Sequence, residues 1–176
     1  MLSFFSRWIT ANDLTVLRIL LVPVIFIVVV IWENNPWILF GIWFVYFFAC
    51  LTDYWDGVLA RYQNKSTKLG ILLDPIADKI LIMSLLIVLV GLKRAPDYLV
   101  ALLITREFAI TGLRAVAAAE GRVIEASTGG KSKTISQMFA VGFLIIHYPT
   151  FGIPTHEIGM GLLWLATGIS VWSGVH

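Results

Sequence analysis

Four aspartates fall at helical spacing between two apolar stretches of this 176-residue sequence. Asp53 and Asp56 are three residues apart and Asp74 and Asp78 are four apart, so each pair lies on one face of a helix. A carboxylate at the centre of a membrane helix costs about 2.5–3.5 kcal/mol, so four of them require neutralisation. Because no His or Cys lies between them, they form an all-oxygen set suited to Mg²⁺ or Mn²⁺. Four negative charges would balance two divalent ions, an arrangement common in phosphoryl transfer.

A structural salt-bridge network is the alternative interpretation of these aspartates. Because Arg61 is the only basic residue in the two helical stripes that hold the aspartates, four acids cannot be balanced in that way, so the metal interpretation is preferred. The same helical faces carry the small residues Gly57, Ala60 and Gly70, which would let a bulky group such as a nucleotide approach the backbone. Close packing between helices also requires small residues, so these three positions support both interpretations.

A second group of residues is positively charged. Arg106 and Arg114 lie two turns apart on the fourth apolar segment with Glu107 beside them, and Lys131 and Lys133 open the fifth. Buried arginine in a helical bundle requires an anion, and Glu107 can pair with one of the two arginines but not both. The remaining charge predicts a phosphate site next to the metal site. Snorkelling to lipid headgroups is the alternative, reasonable for the two lysines and poor for mid-helix Arg106.

The composition indicates an integral membrane protein. The chain is 59% hydrophobic and 14% charged, whereas soluble domains are about half apolar and a quarter charged. The length suits one domain, residues 1–176, and a net charge of +2 is too small to indicate a nucleic-acid partner. The single cysteine, Cys50, cannot form an intrachain disulfide.

Six apolar segments of near-spanning length predict an all-α membrane bundle, and their short connections imply antiparallel neighbours. The expected helices are Asp13–Trp32, Pro36–Tyr62, Leu69–Leu92, Asp97–Glu120, Lys133–Tyr148 and Thr155–Trp172. Before them, the apolar residues of Met1–Ile9 fall on one helical face, which predicts a short interfacial helix. A frayed terminus explains that pattern equally well.

Basic residues between the helices predict the orientation in the membrane. Most Lys and Arg residues fall on the side that contains the loop Arg61–Lys68, and Lys93 and Arg94 are the exceptions. This count favours both chain termini in the cytoplasm. The aspartates then bracket a cytoplasmic loop.

The Asp53–Asp78 run resembles the signature of the CDP-alcohol phosphotransferase family, D-x2-D-G-x2-A-R-x8-G-x3-D-x3-D, with every fixed position matched. So many fixed residues at fixed spacing make the match specific. Three further stretches are similar to members of the family that use glycerol 3-phosphate as the acceptor: Asn12-x2-Thr15-x2-Arg18, Arg106-Glu107 through Arg114, and Gly130-Lys131-x-Lys133-Thr134-x2-Gln137-Met138. Together these segments cover most of the chain.

The resemblance implies a six-helix membrane bundle, usually a homodimer, here in a bacterial inner membrane with the site facing the cytoplasm. It implies that Asp53, Asp56 and Asp74 hold the metal ions. Asp78 would be both a metal ligand and the general base. The residues that would contact CDP-diacylglycerol are Asn12, Thr15, Gly57, Arg61 and Thr67.

The implied reaction transfers the phosphatidyl group of CDP-diacylglycerol, drawn from the surrounding membrane lipids, to an alcohol and releases CMP. The residues that would hold the acceptor's phosphate are Arg106, Arg114, Lys131 and Lys133. They favour a phosphorylated acceptor, and the local similarity favours glycerol 3-phosphate; cardiolipin, phosphatidylserine and inositol-phosphate lipid synthesis are the alternatives within the family. A divalent-cation transporter would leave Arg61 and the Gly/Ala pattern unexplained. A structural lipid-binding scaffold would leave the acids unexplained.

Overall fold

The computed structural model describes residues 11–63, 68–120, 128–150 and 152–175, and side chains for residues 20–51, 79–117, 120, 132–150 and 152–173. These residues form six helices: α1 (Ala11–Ile31), α2 (Pro36–Gln63), α3 (Lys68–Gly91), α4 (Asp97–Ala119), α5 (Thr128–Ile146) and α6 (Thr155–Val175). The prediction of an all-α protein is therefore confirmed. The predicted interfacial helix Met1–Ile9 lies outside the described residues.

Five helices begin and end within three residues of their predicted bounds. The fifth begins at Thr128, five residues before the predicted Lys133, because the helix continues through Gly129 and Gly130. Glycine is a poor helix former, so helix propensity does not predict this first turn. The same helix ends two residues early because His147 adopts a left-handed conformation, with φ of 59°.

The chain forms two compact units, Met1–Leu85 and Leu86–His176, with the boundary inside α3. In the first unit α1 packs against α2 after a short turn. Asn35 caps α2, since its Oδ1 accepts hydrogen bonds from the backbone N–H groups of Trp37 (3.2 Å) and Ile38 (3.3 Å). Pro36 takes the first helical position, as predicted, where its missing N–H has no cost.

In the second unit α6 packs against both α4 and α5. Leu144, Ile145 and Leu163 are fully buried there. Gly159 brings α5 and α6 close together, because a Cβ atom at this position would lie 2.9 Å from Cγ and 3.1 Å from the backbone N of Leu144. The packing of these two helices therefore depends on the absence of a side chain at Gly159.

The turn from α3 to α4 is fixed by a Schellman motif. The N–H of Arg94 donates to the carbonyl of Leu89 (2.8 Å), and the N–H of Lys93 donates to that of Val90 (2.9 Å). Lys93 is left-handed, with φ of 57°, at a position that usually holds glycine. The motif places Lys93 and Arg94, the two basic residues predicted to lie on the side opposite the loop Arg61–Lys68, directly after α3.

Large apolar side chains are exposed on several helices. The exposed fraction is 76% for Trp37, 69% for Phe108 and 73% for Trp172. Within the described ranges, no helix combines the length and the hydropathy needed to cross a membrane.

Candidate active site

The backbone places all four aspartates in helices. Asp53 and Asp56 lie on α2, and Asp74 and Asp78 lie on α3. The helical state of both segments agrees with the spacing argument, and the side chains of these residues lie outside those described. Among the side chains that are described, no group of three or more His, Cys, Asp or Glu is placed to hold a metal ion. The ligand roles of the aspartates and the role of Asp78 as base stay predictions.

The residues predicted to contact CDP-diacylglycerol lie in the same half of the chain. Asn12 and Thr15 are on α1, and Gly57 and Arg61 follow the first aspartates on α2. Their side chains are not among those described, and Thr67 lies outside the described residues altogether. Their binding role is a prediction as well.

The predicted phosphate site is described in more detail, and its centre is a carboxylate shared by two cations. Oε2 of Glu107 on α4 lies 3.3 Å from Nη1 of Arg106 and also contacts Nζ of Lys133 on α5. Lys133 is only 4% exposed, so this ion pair is shielded from water. Two cations and one carboxylate give the three side chains a formal charge of +1.

The last helix contributes a fourth side chain. Nη2 of Arg106 donates a hydrogen bond to Oγ of Ser173 on α6 at 2.8 Å. Four side chains thus join α4, α5 and α6, and we call them the Arg106 cluster: Arg106, Glu107, Lys133 and Ser173. Sequence reasoning missed Ser173, because a serine in an apolar helix carries no signal of what it will contact.

Two buried polar atoms near this cluster have no hydrogen-bond partner among the described residues. They are Nε of Arg106 and Oγ of Ser170, one turn before Ser173 on α6. Buried polar groups are nearly always paired, so each exception calls for an explanation. The buried N–H at Nε of Arg106 is well suited to donate a hydrogen bond to a phosphate oxygen.

The other two predicted phosphate ligands are not brought into this cluster by the described contacts. Arg114 is exposed, and within the described part of the chain no hydrogen bond or ion pair involves it. It lies two turns beyond Arg106 on α4, about 12 Å along the helix axis. The side chain of Lys131 lies outside those described. Among the three of these residues whose side chains are described, Arg106 and Lys133 share a site.

A second polar group lies at the opposite end of the same unit, around the turns that precede α4 and α6. A pocket of about 380 Å³ is lined there by Val90, Lys93, Arg94, Ala95, Pro96, Asp97, His156 and Met160. Arg94 is 4% exposed, and its Nη1 donates to the carbonyl of Ile145 (2.9 Å) near the C-terminus of α5. Arg94 therefore stabilises the end of a neighbouring helix, as a cation at a helix C-terminus does.

Two histidines connect α5 to α6 beside this pocket. Nδ1 of His147 and Nδ1 of His156 lie 3.0 Å apart, so one ring donates and the other accepts. Burial lowers the pKa of His147, and the positive charge of Arg94 and the ring of His156 lower it further, against a smaller opposing effect of Glu157. His147 is therefore held mainly in its neutral form near neutral pH.

Comparison with known proteins agrees with the aspartate signature. The family model for CDP-alcohol phosphatidyltransferase matches residues 8–172. A CDP-diacylglycerol–glycerol-3-phosphate 3-phosphatidyltransferase of Bacillus subtilis is 37% identical over 93% of this chain and 90% of its own length. A protein of the same name from Rickettsia bellii is 34% identical, again over 93% and 90%. A probable phosphatidylglycerophosphate synthase of Mycobacterium tuberculosis is 38% identical over 94% of this chain and 78% of its own.

The chain therefore belongs to the CDP-alcohol phosphatidyltransferase family. The resemblance found in the Asp53–Asp78 run is confirmed. Members of this family are phospholipid synthases that are generally bound to membranes and generally depend on a divalent metal.

Proposed function

We propose that this protein transfers the phosphatidyl group of CDP-diacylglycerol to sn-glycerol 3-phosphate, giving phosphatidylglycerophosphate and CMP. The observation that carries the proposal is identity of 34–38% over 93–94% of the chain to relatives whose names state this reaction or its product. The Arg106 cluster adds support, since its shielded cations suit a phosphorylated acceptor better than an uncharged alcohol.

The reaction exchanges one phosphorus–oxygen bond for another. The acceptor hydroxyl oxygen attacks the phosphorus of the phosphatidyl group, and the bond from that phosphorus to the oxygen of CMP breaks. Asp78 takes the hydroxyl proton as general base. The lipid product keeps the phosphatidyl phosphate and the phosphate of the acceptor, and CMP leaves as an anion.

Asp53, Asp56, Asp74 and Asp78 are the residues that would hold two divalent ions, Mg²⁺ or Mn²⁺. The fit rests on the donor set, since four carboxylates without nitrogen or sulfur donors suit hard cations. The two aspartates on each helix are about one turn apart on described helical backbone, so each pair is compatible with one face of its helix. When bound, such ions neutralise the diphosphate and stabilise charge on the leaving group.

Each substrate has its own set of binding residues in this proposal. CDP-diacylglycerol is held by Asn12, Thr15, Gly57, Arg61 and Thr67. The acceptor phosphate is held mainly by Arg106 and Lys133, which share Glu107. Arg114 and Lys131 add positive charge around that site.

The setting in this proposal is a bacterial inner membrane. The protein is a multi-pass, six-helix bundle, a homodimer, with its site facing the cytoplasm. Support comes from the 59% hydrophobic composition and from the exposed Trp37, Phe108 and Trp172. Exposed aromatic and aliphatic side chains of this number are compatible with lipid contact.

The experiment that tests the function offers the purified protein CDP-diacylglycerol in detergent micelles with Mg²⁺. Glycerol 3-phosphate, serine, inositol phosphate and phosphatidylglycerol are supplied separately, and the lipid product is identified by mass spectrometry. Phosphatidylglycerophosphate with equimolar CMP is expected from the first acceptor alone. A product from another acceptor would reassign the protein within its family.

A matched set of variants tests the metal site in the same assay. EDTA should abolish turnover, and Asp56→Asn and Asp74→Asn should each be inactive while still inserting into membranes. Asp97→Asn, outside the signature, is the control and should stay active. Full turnover by the metal-stripped enzyme would contradict the metal assignment. Metal flux into vesicles without lipid product would favour the transporter instead.

A further inference from the structure

The last helix supplies a side chain to the predicted acceptor site. Oγ of Ser173 lies 2.8 Å from Nη2 of Arg106, although the two residues are 67 positions apart in the sequence. The contact is made possible by the packing of α6 on α4. It crosses between two helices, whereas the ion pair of Arg106 with Glu107 joins neighbours on one helix.

The Ser173 hydroxyl is itself held in one orientation. It donates to the backbone carbonyl of Ser170 at 3.3 Å, one turn earlier on α6. Since its proton is used in that bond, its lone pairs face outward and accept from Arg106. A rotamer that turned the hydroxyl away would lose both hydrogen bonds.

Two fixed contacts determine the plane of the Arg106 guanidinium. Nη1 is held by Glu107 at 3.3 Å and Nη2 by Ser173 at 2.8 Å. The guanidinium is planar, so anchoring both terminal nitrogens also fixes the direction of the N–H bond at Nε. That Nε is buried and has no partner among the described residues.

We propose that Ser173 is a positioning residue for the acceptor site: it holds the guanidinium of Arg106 so that its unused Nε–H donates to the phosphate of the acceptor. This inference rests on the proposed function, transfer to glycerol 3-phosphate. The partner it assigns to Nε is a phosphate monoester oxygen, because a charge-assisted hydrogen bond to such an oxygen gives a buried guanidinium N–H a strong acceptor. Without Ser173, Glu107 would be the one described side chain left to hold the guanidinium, and Nε could turn away.

The test measures steady-state kinetics of Ser173→Ala in micelles, with each substrate varied in turn. We expect KM for glycerol 3-phosphate to rise about 3- to 10-fold, the equivalent of one ordinary hydrogen bond. KM for CDP-diacylglycerol and kcat should stay within about twofold of wild type, because Ser173 acts on one substrate only. Ser173→Thr keeps the hydroxyl and should restore a KM near wild type.

The control is Thr167→Val on the same helix. Thr167 is buried, and its hydroxyl donates to the carbonyl of Leu163 within α6, so this hydrogen bond does not join two helices. Its loss should leave both KM values unchanged. Ser173→Cys keeps nearly the same volume with a weaker acceptor, so it tests the proposal even where alanine perturbs folding; its KM for glycerol 3-phosphate should also rise.

Coupling to Arg106 separates positioning from packing. In an Arg106→Lys background, Ser173→Ala should raise KM by less than twofold further, because the planar group that it orients is gone. An unchanged KM for glycerol 3-phosphate in Ser173→Ala, an equal rise for both substrates, or the same rise in the Arg106→Lys background would overturn the inference. Wild-type protein that makes no phosphatidylglycerophosphate would instead overturn the proposed function, and the inference with it.

Discussion

Oε2 of Glu107 accepts from both Arg106 and Lys133, so one carboxylate on α4 stands between two cations from different helices. Its own side chain is 16% exposed, and that of Lys133 is 5% exposed. The arrangement keeps two positive charges close together near a site predicted to receive a phosphate. Glu107 thus has a structural task, since without it the two cations would repel each other in a poorly solvated place.

Glu107→Gln should therefore destabilise the fold. Breaking a fully buried ion pair by removing one partner costs about 3–5 kcal/mol, and partial exposure reduces this to about 1–3 kcal/mol. Thermal unfolding in detergent measures the change. The matched control is Glu120→Gln, an exposed acid just after α4, where the effect should stay within about 0.5 kcal/mol. Equal melting temperatures for the two variants would contradict the prediction.

Lys133→Ala and Arg114→Ala should differ in acceptor binding. Both are expected to raise KM for glycerol 3-phosphate more than KM for CDP-diacylglycerol. The effect of Lys133→Ala should be the larger, about 10-fold or more, because Lys133 is buried in the Arg106 cluster whereas Arg114 is exposed. Kinetics with each substrate varied separately measures this. Equal effects on both substrates would argue against an acceptor-phosphate role.

Asp78→Asn should separate substrate binding from chemistry. Asparagine keeps an oxygen ligand and a similar volume but cannot accept the proton of the attacking hydroxyl. Turnover should fall by roughly 10²–10⁴-fold, the usual contribution of general-base catalysis, while CDP-diacylglycerol still binds in the presence of Mg²⁺. Binding and turnover are measured on one preparation. Turnover near wild type would exclude Asp78 as the base, and loss of binding would make metal ligation its main role.

The histidine pair between α5 and α6 predicts a dependence of stability on pH. The pKa of His147 is lower in the folded protein than its unfolded value of about 6.5, chiefly through burial. The unfolded chain therefore binds more protons in the interval between the two values. The stabilisation is fully present above the unfolded pKa and is lost as the pH falls through the folded pKa.

The variant that tests this is His147→Asn, since asparagine tolerates the left-handed conformation found at this position. Between pH 7.5 and 5.5 the melting temperature of the wild type should fall more than that of the variant. Identical slopes for the two proteins would show that His147 does not carry the effect. Glu157→Gln provides a second test. Glu157 is exposed, and removal of its carboxylate should lower the pKa of His147 further.

Much of the fold could be predicted from the sequence because strong local signals mark its helices. Pro36 and Asp97 begin helices where they were expected to, and the apolar segments give the lengths. The start of α5 could not be predicted, because Gly129 and Gly130 have low helix propensity and their helical state depends on tertiary context.

In the candidate site, too, the features encoded locally could be predicted and those that depend on helix packing could not. The aspartate signature is a pattern within two neighbouring helices, so sequence alone identified it. The contact of Ser173 with Arg106 joins distant positions and depends on how α6 packs on α4, which no local pattern encodes. The sharing of Glu107 by Arg106 and Lys133 is tertiary in the same sense.

The missing side chain at Gly159 has a consequence far from its own position. Gly159 and Leu144 touch near the turn that joins α5 to α6, whereas Lys133 and Ser173 lie at the far ends of these helices, roughly 16–21 Å along their axes. A methyl group added at Gly159 would push α5 and α6 apart at this contact. A small rotation of one helix there would become a larger displacement at the distant ends. The distance between Lys133 and Ser173 in the proposed acceptor site therefore depends partly on Gly159, at the other end of the helix pair.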